Sequence, residues 1–181
     1  ELIITRTKAW VSSVVVGDNF CPFARKEVEN DTIRYSVIGD KNDKRALENG
    51  LIALLGECKF LDDNPGIETT ILIYSDGFDD FQVFLELLDL ANNLMVEKGY
   101  EGIYQLASFH PDYCFGGAEP EDDENLTNRS PYPVFHLIRE ESMEKVLRHY
   151  PNPEAIPDTN IARVSALTPE QRKQLFPYLF S

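Results

Sequence analysis

The eight residues "ETTILIYS", 68–75, constrain the fold more than any other stretch of the chain. They are β-branched and almost continuously apolar, the pattern of a strand buried on both faces at the centre of a sheet. Helical stripes flank them. Before the strand, Leu47, Leu51, Leu54, Leu55, Cys58 and Leu61 recur at helical spacing over 43–61. After it, Phe81, Phe84, Leu85, Leu88, Ala91 and Met95 form a stripe over 79–98. Asp79 and Asp80 suit the N-terminal end of that helix, and Lys98-Gly99 suits its close.

Three further strands are expected, in "IRYSVI" at 33–38, "YEGIYQLASF" at 100–109 and "PVFHLIR" at 133–139. A helix over 5–16 places Trp10, Val11, Val14 and Val15 on one face and ends at Gly17. Cys21-Pro22 reads as the start of a short second helix. "SMEKVLRHY" forms another, stopped by Pro151. The tail 151–181 reads as irregular until Thr168-Pro169-Glu170, a cap followed by proline, begins a last short helix. A strand–helix–strand unit crosses over right-handed, so part of the sheet is parallel. The expected fold is a single α/β domain over 1–181. It is a sandwich of about four mixed strands packed by helices, ferredoxin-like or similar.

Charge narrows the partners. Thirty-one acids face seventeen bases, a net charge of −14, and the bases are interleaved with acids as in "RKEVEN" and "DKNDKR". Without a basic patch such a chain repels nucleic acid and anionic membranes. Its apolar runs are too short to span a bilayer, and the N-terminal residues form no secretion signal. Cys21, Cys58 and Cys114 are odd in number and lack C-x-x-C spacing, which speaks against a disulfide framework or zinc ribbon. A reducing compartment, the cytoplasm, is expected. No oligomeric state follows from the sequence.

The segment 111–132 is too long for an ordinary connection and has neither helical nor strand period. Two histidines bracket it. His110 follows the third strand, and His136 lies within the fourth, sharing a face with Val134 and Ile138. If those strands pair, the imidazoles meet at one end of the sheet, either as a functional pair or as hydrogen-bonded core histidines. In "TNRSPYP", Arg129 offers a planar fork to an anion, with Asn128 and Tyr132 beside it and Arg139 beyond. Alternatively, Arg129 neutralises the loop's own acids. Tyr132-Pro133 is a candidate cis bond. The acids Glu119 and Glu121 to Glu124 lack calcium-loop spacing and read as a solvated run. Cys21 is either a nucleophile, lowered in pKa by a helix start, or a buried structural thiol. Cys58, on an apolar stripe, belongs to the core. G-x-S-x-G, Walker, Rossmann and H-E-x-x-H patterns do not occur.

"NFCPFA" at 19–24, "LASFHPDY" at 106–113 and "NLTNRSPYPVFHLIRE" at 125–140 together resemble a family of bacterial proteins known as domain of unknown function 1415. The resemblance spans nearly the whole chain. Position by position it covers Asn19, Cys21 and Pro22, then His110, Pro111 and Tyr113, then Asn125, Thr127 to Pro133, His136 and Arg139. The family pattern does not require a cysteine where this chain has Cys114. The resemblance implies a single-domain bacterial cytoplasmic protein and assigns no activity.

Two functions are therefore expected. The first is a small enzyme acting on an anionic small molecule. Asn128, Arg129, Tyr132 and Arg139 would bind the anion, His110 or His136 would act as acid or base, and Cys21 would be the nucleophile. A variant places a metal on the two histidines, with a carboxylate or Cys21 completing its shell. No cofactor is assigned. The second is a non-catalytic module binding a ligand or a protein through the acidic loop 119–124. Either way the long loop is expected to be ordered, as the rim or lid of a cleft.

Overall fold

The computed structural model describes residues 1–180. All six residues of the central strand, Thr69–Tyr74 (β2), are buried, as the apolar run requires. On one side β2 runs parallel to β1 (Ile33–Ile38), joined to it through α3 (Ala46–Asp63). On the other it pairs antiparallel with β4 (Val134–Arg139). β4 pairs antiparallel with β3 (Tyr104–Phe109), which forms the edge, giving the order β1-β2-β4-β3. α4 (Phe81–Glu97) carries the chain from β2 to β3, so β1, β2 and β3 share one direction and β4 opposes them. The element order β-α-β-α-β-β differs from the ferredoxin-like β-α-β-β-α-β.

Helices cover both faces. On the first, Leu72, Tyr74, Phe135 and Leu137 pack against Leu54, Cys58 and Leu61 of α3 and Phe84, Leu87 and Ala91 of α4. The Asp80 carboxylate caps α4, accepting the backbone N–H of Gln82 at 2.8 Å and of Val83 at 3.2 Å. Gly99, at φ +80°, turns the chain out of that helix. On the second face, Ile71, Ile73 and Val134 meet Trp10, Val11 and Val14. Val164 and Phe176, both fully buried, complete this second core.

The structure departs from the sequence expectation in several places. The short second helix begins at Ala24, so Cys21-Pro22 lie in the turn before it and not at its start. The N-terminal helix is α-helical only over Leu2–Trp10 (α1) and widens into a π-helix over Val11–Val16. An apolar stripe so short fits either winding. A side chain at Gly17 would collide with the Ser13 carbonyl oxygen, so glycine is required where the wide turn closes. After α2 (Ala24–Glu29) and α5 (Glu140–Leu147), the tail expected to be irregular forms α6 (Ile156–Ser165) before the capped α7 (Pro169–Leu175). Pro157 lies in the first turn of α6, where its missing N–H has no helical partner to lose. The Tyr132–Pro133 bond is trans, since no cis peptide occurs among the described residues.

Candidate functional site

The second face of the sheet is not fully packed. A cavity of about 430 Å³ lies between it and the elements above. Its floor is strand surface: Thr69 and Ile71 of β2, His136 of β4 and Ala107 of β3. Trp10, Val11 and Val15 of α1 and the π-helix form one wall, and Trp10 meets Phe109 edge-on at 5.2 Å. Cys21, Phe23, Ala24, Lys26 and Glu27, with Ser142, Met143, Lys145 and Val146 on one side of α5, close the rest. The register explains the floor: His136 sits opposite Ile71 on one side and Ala107 on the other. The small Ala107 leaves the imidazole uncovered.

His136 is the polar centre of this floor. Its Nε2 lies 2.7 Å from the Thr69 hydroxyl oxygen, which also contacts the Leu137 carbonyl oxygen. Its Nδ1 has no hydrogen-bond partner among the described residues. Burial among apolar neighbours pushes the imidazole pKa down to about 4, so the ring is neutral at pH 7. Cys21 lines the same cavity, in the turn that precedes α2. Burial raises its thiol pKa, against the lowering effect of the Phe23 and Ala24 backbone N–H groups. The turn is pinned from outside: Asn160 donates to the Phe20 carbonyl at 2.8 Å, and Arg163 to that of Asn19 at 3.1 Å.

His110 lies on the opposite face of the sheet. It is fully buried, with its ring between Phe81 and Phe84, each 5.1 Å away. Its Nδ1 accepts the Asp112 N–H at 3.0 Å, so Nε2 carries the proton and donates to the Phe78 carbonyl at 2.9 Å. Burial lowers its pKa as well. β3 and β4 do pair, yet the side-chain alternation sends the two imidazoles to different layers. Among the described residues no three His, Cys, Asp or Glu side chains form a group that could hold a metal.

The long loop is ordered by its own hydrogen bonds, and none of 111–132 lines the cavity. Asn125, fully buried, accepts the Phe115 N–H at 2.9 Å and donates to the Glu119 carbonyl at 2.8 Å. Arg129 donates to the carbonyls of Tyr113 at 3.2 Å and Pro120 at 2.7 Å. Asn128 donates to the Ser108 carbonyl at 3.1 Å, and the Tyr132 hydroxyl accepts from Arg6 at 3.3 Å. Within the acidic run, Asp123 pairs with Arg172 of α7 at 2.8 Å, which holds its carboxyl below the usual range. Arg139 reaches one edge of the cavity. Its guanidinium is committed elsewhere, to the carbonyls of Leu61 at 2.7 Å, Ile67 at 2.9 Å and Asn64 at 3.2 Å around the end of α3.

Of the sequence-derived site residues, Cys21 and His136 thus share one cavity with an edge of Arg139. His110, Asn128, Arg129 and Tyr132 lie outside it. The residues that sequence reasoning missed are Thr69, Ala107 and Trp10. Thr69 left one signal, as the first of two threonines that open a mostly apolar strand.

The chain matches the family model described as "Protein of unknown function (DUF1415)" over residues 2–174, and it belongs to that family. No curated protein and no solved structure matches it.

Proposed function

We propose that this member of the DUF1415 family binds a small, largely apolar molecule between the sheet and the π-helix, with His136 as its main polar contact. The observation that carries the reading is the cavity itself: about 430 Å³, walled mainly by apolar side chains around one neutral imidazole. Ligand pockets commonly measure about 300–1,000 Å³ and combine apolar walls with a few polar groups. A ligand burying about 200 Å² of apolar surface would gain roughly 5 kcal/mol, before the costs of association. The anion expected from Arg129 and Arg139 is not carried forward, because both guanidinium groups serve main-chain carbonyls. A reducing compartment such as the cytoplasm remains part of the reading, supported by the free state of Cys21, Cys58 and Cys114. No helix among the described residues is long and apolar enough to cross a membrane.

The test is titration with the apolar dye Nile red. The protein is expected to bind it saturably at one site, and Ala107→Phe, which fills the floor beside His136, to weaken binding at least about tenfold. Absence of saturable binding, or equal affinity in a folded variant, refutes the reading.

One observation favours a second reading, thiol chemistry. Cys21 and His136 line one cavity, and although burial raises the thiol pKa, two backbone N–H groups there oppose that rise. Burial works against the charged thiolate–imidazolium pair, so binding is the leading reading. Alkylation by iodoacetamide separates the two. Catalytic coupling requires His136→Gln to slow the reaction of Cys21 by about tenfold or more at neutral pH.

A further inference from the structure

We infer that the ligand of this cavity carries a neutral hydroxyl, phenolic or alcoholic, that donates its hydrogen bond to Nδ1 of His136. The floor thereby selects against carboxylates of the same shape. The inference rests on the cavity being a ligand site and adds the chemistry of the ligand's head group.

A carbonyl oxygen can only accept, so the single hydroxyl proton of Thr69 goes to the Leu137 carbonyl it contacts. The lone pairs of that hydroxyl then face His136 Nε2 at 2.7 Å, and Nε2 must carry the hydrogen between them. A neutral imidazole with its proton on Nε2 presents a bare Nδ1, and this nitrogen has no donor among the described residues. Burial keeps the ring neutral, so it offers no positive charge to an anion. A carboxylate would set acceptor against acceptor, whereas a hydroxyl completes the chain of hydrogen bonds into the sheet.

Of the other polar groups, the buried Trp10 indole N–H can only donate and has no partner among the described residues, so it does not supply the hydrogen that Nδ1 lacks. Glu68 accepts from Ser142 at 3.0 Å, Glu27 accepts from Thr32, and Lys145 pairs with Glu141 at 2.6 Å. Arg139 is held by carbonyls, and Lys26 is exposed on α2. Size fits a two-ring molecule: the 430 Å³ available is roughly three times the ~150 Å³ that accommodates benzene.

Trp10 is the chain's single tryptophan and lines the cavity, so its indole N–H resonance reports occupancy. The experiment titrates isotope-labelled protein with naphthalene, 2-naphthol and 2-naphthoate, and repeats the series with His136→Phe. 2-Naphthol is expected to bind about tenfold tighter than naphthalene, with 2-naphthoate the weakest. In His136→Phe the advantage of 2-naphthol disappears while naphthalene still binds. If that variant does not fold, Thr69→Val, which releases the Nε2 proton from its acceptor, is expected to diminish the same advantage. 2-Naphthoate binding as tightly as 2-naphthol places the head group against a donor, Lys26 or the Trp10 indole N–H, and overturns the inference. So does a naphthol advantage that survives in the folded variants. If none of the three probes moves the Trp10 resonance, the binding reading itself falls.

Discussion

Acidification from about pH 7.5 to pH 5.0 should cost this protein stability through His136, by an amount that the His136→Phe variant does not lose. The folded-state pKa of about 4 lies below the ordinary imidazole value of 6.5. Between those two values the unfolded chain binds a proton that the folded chain refuses. The stabilisation is therefore present above pH 6.5 and is lost as pH falls towards 4. Integrating the two titrations gives about 2 kcal/mol between pH 7.5 and 5.0, and about 3 kcal/mol once both forms are protonated. The assay is urea unfolding at both pH values. With a slope near 2 kcal/mol per molar, the parent should lose about 1 M more in midpoint than the variant. His110, whose pKa shifts the same way, is present in both proteins and cancels, as do the carboxylates. An equal midpoint loss in both proteins would refute the reasoning, because His136 would then titrate as freely folded as unfolded.

His110→Leu leaves a buried Phe78 carbonyl and the Asp112 N–H unpaired, a loss of about 2–4 kcal/mol by calorimetry, with Nile red affinity unchanged. A reduction in dye affinity without loss of stability would contradict the structural role given to that residue. Arg129→Met removes the bonds to Tyr113 and Pro120 and is expected to cost about 1–3 kcal/mol. Limited proteolysis should then cut first within 113–122. Thr168→Ala removes the hydroxyl that caps α7 and should lower stability by about 1 kcal/mol in the same unfolding assay.

What could be read in advance were features whose cause is local. The β-branched run at 69–74 implied a strand covered on both sides, and the stripe from Phe81 to Met95 implied one face of α4. Thr168 and Gln171 form a capping box within four residues. What could not be read depends on partners distant in sequence or lacking side-chain identity. Arg129 and Arg139 looked like anion ligands because their acceptors are main-chain carbonyls, which leave no mark in a sequence. His110 and His136 lie at or near strands that pair, which by itself implies that the imidazoles converge. His110 instead continues the side of β3 that faces α4, whereas His136 faces the opposite layer. The cavity arises because Ala107 is small beside His136 while the π-helix and α5 arch over it, a matter of volume rather than hydrophobic pattern. The tail was obscured by its prolines, which here begin helices instead of breaking them.

The central claim is that an open, apolar cavity lies between the sheet and the π-helix. Methyl NMR spectra under xenon pressure test it most directly, because xenon enters dry apolar cavities without needing any polar contact. The account predicts saturable shifts at Val11, Val15, Ile71 and Val134, which line the cavity, with Leu54 and Leu87 in the other core unaffected. Shifts absent from the first group, or equal in both, would contradict it.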